Sequence, residues 1–131
     1  MAEQTEQLDE TIQLLSDLLQ SGQDSEFIES FEALHDFEMA QVYAELPEQF
    51  RAVAWRLLPT DVLAAVFDNL DVDEVDIAGL LAEMPPQRGA QILQEMYTDN
   101  AVDLLQEMPS GQIATYLSLM PKADADSVRK L

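Results

Sequence analysis

Apolar residues recur along this chain at a helical spacing, and proline interrupts them at regular intervals. Ala52, Trp55 and Leu58 lie three residues apart, which is typical of one face of an α-helix. A proline such as Pro59 is tolerated in the first turn of a helix but pushes the preceding residue out of the helical region. The pattern therefore predicts a series of helices of about nine or ten residues, each roughly 15 Å long. No segment shows the alternation that predicts a strand.

The same short unit is repeated along most of the chain. Each unit starts at an apolar anchor, usually Leu or Met before Pro, and successive anchors lie 12 residues apart except for one step of 14. The anchors are Leu34, Leu46, Leu58, Leu70, Met84, Met96, Met108 and Met120. Helices this short are marginal alone, so they must pack on one another, and the short turns favour antiparallel neighbours. The repeat therefore predicts an all-α solenoid of about ten short antiparallel helices.

The N-terminal part of the chain departs from this repeat. Residues 5–20 predict one longer helix, which the following Ser-Gly pair ends. A second helix then begins, with Asp24 or Ser25 as its N-cap. We interpret residues 1–23 as a capping helix that closes the end of the array. Residues 24–131 are the repeat array, and the whole chain is a single domain.

The composition is strongly acidic, which narrows the classes of function. The 131 residues include 26 Asp and Glu but only 6 Lys and Arg, for a net charge of −20. Nucleic-acid binding needs clustered basic residues to neutralise phosphates, so we expect no DNA or RNA partner. No run of about 18 apolar residues occurs, so the chain is not predicted to insert in a membrane. We expect partners with positive charge, and metal cations are one such class.

Few residues here are suited to catalysis. The chain has no cysteine, and His35 is its one histidine, so multi-histidine metal sites within one chain are excluded. His35 stands where later units have proline, and we interpret it as a helix-junction residue rather than a catalytic base. The four glycines lie far apart and form no phosphate-binding loop. The sequence therefore predicts that the protein is not an enzyme.

The densest acidic stretch, residues 68–76, coincides with the 14-residue step. It does not match a calcium-binding loop of the EF-hand type, because Asp76 stands where glycine is required and Ala82 where the final glutamate is required. We predict a solvent-exposed turn whose carboxylates favour the N-terminus of the next helix.

Two other carboxylates form a candidate metal site. Asp99 and Asp103 lie four residues apart and so share one face of a predicted helix. Mg²⁺ takes oxygen ligands, often one or two carboxylates, and keeps several waters. The pair suits a weakly held Mg²⁺. The alternative is that Asp99 caps the helix and Asp103 is an ordinary exposed residue.

The phased repeat resembles the cytosolic N-terminal domain of the MgtE family of magnesium transporters and channels. The segments that carry the resemblance are 31–40 (FEALHDFEMA), 44–47 (AELP), 56–59 (RLLP) and 97–109 (YTDNAVDLLQEMP). The resemblance covers residues 25–131 and implies a right-handed superhelix of short helices. It also implies that such a domain precedes a pair of CBS domains and a transmembrane domain in a homodimeric protein.

The resemblance further implies a function. In that family Mg²⁺ binds between this domain and the CBS domains, which keeps the assembly compact and the pore closed. Asp99 and Asp103 match the family's Asp-x-x-x-Asp pair that faces the CBS domains, whereas Ala65 stands where the family has a glutamate ligand. The expectation is a Mg²⁺-sensing regulatory domain with weak, regulatory Mg²⁺ binding, on the cytoplasmic side of the cell membrane.

These 131 residues contain neither CBS domains nor a membrane segment, and they end about where the family's linker to the CBS pair would begin. We interpret the chain as a soluble part of a longer transporter. The alternative is a stand-alone acidic helical-repeat module that docks a basic protein. Binding by such a module would weaken with salt and would have no specific need for Mg²⁺.

Overall fold

The structure is a computed structural model that describes the backbone of residues 2–130 and the side chains of residues 7–126. Within residues 2–130 every regular element is an α-helix, which confirms the predicted all-α class, and the ten helices agree with the expected number. They are α1 (Ala2–Gln20), α2 (Asp24–Glu32), α3 (Asp36–Glu45), α4 (Glu48–Leu57), α5 (Thr60–Asp68), α6 (Ile77–Ala82), α7 (Pro86–Glu95), α8 (Thr98–Gln106), α9 (Ser110–Leu119) and α10 (Lys122–Lys130).

From α3 to α9, the odd-numbered helices that lie two apart along the chain make the most extensive contacts with one another. α3 packs on α5, α5 on α7 and α7 on α9, while α6 and α10 pack on α8. The long helix α1 lies against α2, α3 and α4 at the start of the array. The short turns send the chain back and forth between two rows, so stacking occurs within a row, as in a solenoid. One apolar core extends along the rows from Leu15 to Ala125.

The repeated anchors lie at the helix junctions. Leu46, Leu58, Met96 and Met120 leave the helical conformation, with ψ between 139° and 159°. Each is a C-cap residue whose side chain is at most 7% exposed. The junctions are therefore held by burial as well as by backbone conformation.

Pro86 occupies the first turn of α7, as the sequence predicts, but four other prolines lie one position earlier. They occupy the N-cap, not the first turn, at Pro47, Pro59, Pro85 and Pro109. At an N-cap the residue keeps an extended ψ while its carbonyl accepts the first helical hydrogen bond. Pro47, for example, accepts from the Arg51 amide at 3.0 Å. Tyr97 takes the same position before α8 without being proline.

The start of α2 also differs from the prediction. Gln23 is the N-cap and makes no side-chain capping bond, so the predicted cap at Asp24 or Ser25 is wrong. Gly22 has φ of +73°, the left-handed conformation that favours glycine. This conformation ends α1 and brings the Gln23 amide to 3.0 Å from the Leu18 carbonyl oxygen. Asp24 instead lies in the first turn, where its negative charge favours the helix N-terminus.

A glycine allows one close approach between helices. Gly89 in α7 is buried, and a Cβ atom there would lie 2.7 Å from Cε1 of Tyr116 in α9. Tyr116 is itself 3% exposed. Its hydroxyl accepts a hydrogen bond from Nε2 of Gln112 at 3.3 Å. The ring therefore has little room to move, and the missing side chain at Gly89 sets how closely α7 and α9 pack.

We expect Gly89→Ala to lower the free energy of unfolding by about 1–2 kcal/mol, because displacing the Tyr116 ring costs more than alanine gains in helix propensity. Gly111→Ala is the matched control, since Gly111 is also helical but a Cβ atom there would meet no atom of another helix within 4 Å. The control should be unchanged or up to about 1 kcal/mol more stable. Urea unfolding followed by circular dichroism measures both. Equal stabilities would contradict the close contact.

Candidate functional site

The structure places both predicted metal ligands on the exposed face of α8. Asp99 and Asp103 are one helical turn apart, and both side chains are exposed. Tyr97 is the N-cap of α8, so the interpretation of Asp99 as the cap is wrong. The opposite face of α8 is buried in the core by Ala101, Val102, Leu104 and Leu105. The packing of that face fixes the direction in which the two carboxylates project.

The two carboxylates form an open arrangement. Among the side chains of residues 7–126, no group of three or more Asp, Glu, His or Cys residues is placed to hold a metal ion. Ala65 is half-buried in α5 and supplies no carboxylate; its carbonyl accepts a hydrogen bond from Asn69 Nδ2 at 2.8 Å. Mg²⁺ tolerates one or two protein carboxylates because it retains waters. Asp99 and Asp103 therefore fit a weak or shared Mg²⁺ site rather than an enclosed one.

Asp68 fixes the N-terminus of α8 from a different helix. It is the last residue of α5, and its Oδ1 accepts hydrogen bonds from the Tyr97 amide at 3.2 Å and from Asn100 Nδ2 at 3.1 Å. The sequence pattern places Asp68 only in an acidic turn and does not predict this contact. A signal was present, because a carboxylate at a helix C-terminus is disfavoured by the helix dipole unless it has a partner.

The surroundings of Asp68 disfavour its charge. Partial burial raises the pKa of Asp68 above its usual value, and repulsion from Asp36 acts in the same direction. The hydrogen bonds from Asn100 and Tyr97 lower the pKa but do not cancel the rise. The Asp68 carboxyl therefore binds a proton more tightly in the folded protein than in the unfolded chain.

A groove separates α8 from the turn that contains the 14-residue step. It consists of two adjoining cavities of about 190 and 110 Å³ that share Val72, Ile77 and Leu104. The remaining apolar lining is Phe67, Leu70, Val75 and Ala78, and the acidic lining is Asp68, Asp71, Asp76, Asp103 and Glu107. We name this feature the α8 groove. Asp103 lines it, whereas Asp99 does not.

The turn beside the groove is held by its own carboxylates. Asp76 is the N-cap of α6, and its Oδ1 accepts from the Gly79 amide at 3.1 Å. Asp71 Oδ1 accepts from the Asp73 amide at 2.9 Å. The predicted role of this stretch, an exposed turn that supports the next helix, is confirmed for Asp76.

Inside the array an ion pair joins distant repeats, and the sequence pattern does not predict it. Arg51 in α4 makes two hydrogen bonds with Glu83 at the end of α6, at 2.9 and 2.7 Å. The two side chains are 14% and 21% exposed. Arg51 also donates to the Leu46 carbonyl, and Arg88 donates to the Leu58 carbonyl. One signal was available in the sequence. With 26 acidic and only 6 basic residues, an arginine is surrounded by possible carboxylate partners.

Burial determines the ionisation of the neighbouring Tyr43. Its side chain is 0% exposed. Burial, with a smaller effect of the negative charge on Glu83, raises the pKa of the Tyr43 hydroxyl. Arg51 and Arg88 oppose this rise only in part. The hydroxyl therefore stays neutral at physiological pH. Arg51 and Arg88 bind groups inside the array, and neither of them lines the α8 groove.

These features define an all-α repeat domain with an acidic edge and no catalytic constellation among its described side chains. No helix within the described residues is long and apolar enough to cross a membrane. The sequence model of the MgtE intracellular N domain matches residues 34–131, about three quarters of the chain. The chain therefore belongs to the MgtE intracellular N domain family, which is a family of transport-protein domains and not of enzymes.

Two relatives support this assignment. A magnesium transporter MgtE from Enterococcus faecalis is 40% identical over 85 residues, which cover 65% of this chain and 19% of that transporter. The crystal structure of the soluble part of a magnesium transporter matches with a TM-score of 0.88 and 40% identity, over 94% of this chain and 48% of that one. The chain thus spans about half or less of the length of the proteins it matches.

We expect Asp68→Asn to be at least as stable as the parent at pH 7, because asparagine keeps the acceptor oxygen and has no charge to bury. The raised folded-state pKa means that ionisation of Asp68 lowers stability as the pH rises through the carboxyl range, and this part of the pH dependence should disappear in the variant. Asp68→Ala should lose about 1 kcal/mol, since the Tyr97 amide and Asn100 lose their acceptor. Urea unfolding between pH 4 and about 7 tests this. If both variants lose the same stability, the charge itself stabilises α8.

Proposed function

We propose that this chain is the Mg²⁺-sensing regulatory domain of a magnesium transporter or channel, on the cytoplasmic side of the membrane. Membership of the MgtE intracellular N domain family supports the transporter assignment. The observation that carries the sensing role is the pair Asp99 and Asp103, two exposed carboxylates one turn apart on a rigidly packed helix. Together they supply part of a Mg²⁺ coordination sphere, and the rest comes from outside the chain.

The missing ligands come from CBS domains of the same full-length protein. A site formed only by Asp99 and Asp103 leaves most of the six positions around Mg²⁺ to water or to a second surface. When that second surface is acidic, Mg²⁺ between the two surfaces replaces repulsion with attraction. The net charge of −20 makes this repulsion large when no cation is present.

Shared coordination gives the ion its regulatory effect. A ligand shifts a conformational equilibrium only by its differential affinity for the two states. Mg²⁺ held by two surfaces binds the compact assembly more tightly than the separated one. High Mg²⁺ then favours a compact homodimer with a closed pore in the transmembrane domain, and low Mg²⁺ releases this domain.

The attachment of α8 suits this role. Asp68 fixes the Tyr97 amide and Asn100 at the N-terminus of the helix, and the core holds its other face. Asp99 and Asp103 are therefore presented without a loop that must first become ordered. Ion binding then acts on the position of the whole domain and not on its internal fold.

We expect the 131-residue chain alone to bind Mg²⁺ with a dissociation constant around 1 mM, or about −4 kcal/mol, because most of the ligands lie elsewhere. The double variant Asp99→Asn/Asp103→Asn should abolish the Mg²⁺-dependent NMR shifts of α8. Glu26→Gln/Glu29→Gln on α2 is the matched control, since it removes two exposed carboxylates from another helix. Micromolar binding by the isolated chain would contradict the shared site.

In the full-length transporter we expect Asp103→Ala to make the pore less responsive to cytosolic Mg²⁺, because the compact state loses a ligand. Flux should then persist at Mg²⁺ concentrations that close the parent, whereas the Glu26→Gln/Glu29→Gln protein should close normally. Ion flux into proteoliposomes at graded internal Mg²⁺ measures this. Unchanged gating would remove Asp103 from the site.

A further inference from the structure

We infer that the α8 groove binds a basic amphipathic peptide segment of a partner protein, with an apolar side chain on the groove floor and Lys or Arg side chains against its rim. This goes beyond the proposed Mg²⁺ site, because it requires no metal ion and uses the turn at residues 70–76. Asp99, on the other hand, contributes nothing to the groove.

The floor is an apolar surface that the fold leaves partly uncovered. Val72, which lines both cavities, is 38% exposed although it is a large hydrophobic residue. Leu70 and Val75 on the same turn are half-buried, while Ile77 and Leu104 are 3% and 1% exposed. Covering the turn would remove this remaining apolar area from water, which favours association.

The rim gives the groove its preference for positive charge. Five carboxylates line the two cavities, and no Lys or Arg lines either of them. Asp103 and Glu107 lie four residues apart at one edge, and Asp71 and Asp76 lie on the turn opposite. Like charges around an apolar concavity focus the electrostatic potential and attract a cationic ligand.

The dimensions favour a peptide over the other positively charged ligands. Cavities of about 190 and 110 Å³ are smaller than the roughly 300–1,000 Å³ of typical small-molecule sites. They match one or two inserted side chains. A bare cation has no enclosed set of ligands here, since the side chains of residues 7–126 include no three-residue metal group. Apolar and cationic groups alternating on one short segment match both the floor and the rim.

The probe is a fluorescein-labelled peptide, Lys-Arg-Leu-Leu-Lys-Arg, titrated with the 131-residue chain in EDTA and followed by fluorescence anisotropy. We expect saturable binding with a dissociation constant of roughly 10–100 μM. Binding should weaken as salt rises, because the rim charges are screened. A second peptide with glycine in place of both leucines should bind about tenfold more weakly, since it leaves the floor uncovered.

Two charge-matched variants locate the site. Val72→Lys puts a cation on the floor and should weaken binding of the leucine peptide about tenfold, because like charges then face each other. Leu119→Lys adds the same charge on α9 at a position of nearly equal exposure, 40% against 38%, and should bind almost as the parent does. Glu107→Lys at the rim gives a second test if Val72→Lys perturbs the turn, and circular dichroism checks the fold of each protein.

The outcomes separate this inference from the proposed Mg²⁺ role. Asp99→Asn should leave peptide binding unchanged while it weakens Mg²⁺ binding. The inference is overturned if no saturation occurs by about 1 mM, or if the leucine and glycine peptides bind equally. It is also overturned if Leu119→Lys weakens binding as much as Val72→Lys, because the peptide then responds only to net charge. The three peptide results that would overturn the inference do not bear on whether Asp99 and Asp103 hold Mg²⁺.

Discussion

Helices of nine or ten residues cannot remain folded in water alone, and every feature of this domain depends on how they bury one face. The 12-residue step leaves room for one such helix and one junction. Buried anchors such as Leu46 and Leu58 fill the junctions, and alternate helices stack to cover the remaining apolar positions. The acidic residues are consequently placed on edges and turns, where water solvates them. A domain built in this way has a continuous apolar interior and a highly charged exterior.

The few basic residues show how the fold manages that excess of negative charge. Arg51 and Arg88 are used inside the array, where they supply donors to carbonyls at the ends of α3 and α4. Arg51 also neutralises Glu83. Placing two of 6 cationic side chains in the interior leaves the outer surface still more negative. The outer surface is thus strongly acidic, which suits it to cations or to partners with positive charge.

The sequence predicts the periodic features of the fold well, but it does not predict the contacts between repeats. The spacing of Ala52, Trp55 and Leu58 and the phased anchors predicted the helices, because local periodicity reports the buried face of each one. The cap at Asp24 or Ser25 and the helical position of four prolines were predicted wrongly, since several residues near a helix start satisfy the same local rules. The bonds of Asp68 to α8 and of Arg51 to Glu83 span 29 to 32 residues. No local pattern specifies such pairs.

The candidate site shows the same division. The shared exposed face of Asp99 and Asp103 followed from a four-residue spacing, and the structure has it. The α8 groove required knowing that the turn after α5 lies beside α8, which is a matter of tertiary packing. The resemblance to magnesium transporters identified the family, and the family comparison confirmed it. The role of the groove could be inferred only from the arrangement of its floor and rim.

The Arg51–Glu83 pair has a consequence for how the array comes apart. Repeat arrays whose units touch only their neighbours can lose one end while the other stays folded. Here a two-bond link fastens α4 to the end of α6, so that fraying which reaches α6 must break it before the middle of the chain opens. The link therefore couples the unfolding of α4 to that of α6, whereas the two ends of the array unfold more independently. Unfolding that starts at the C-terminal helices is then confined to that end before it reaches the centre.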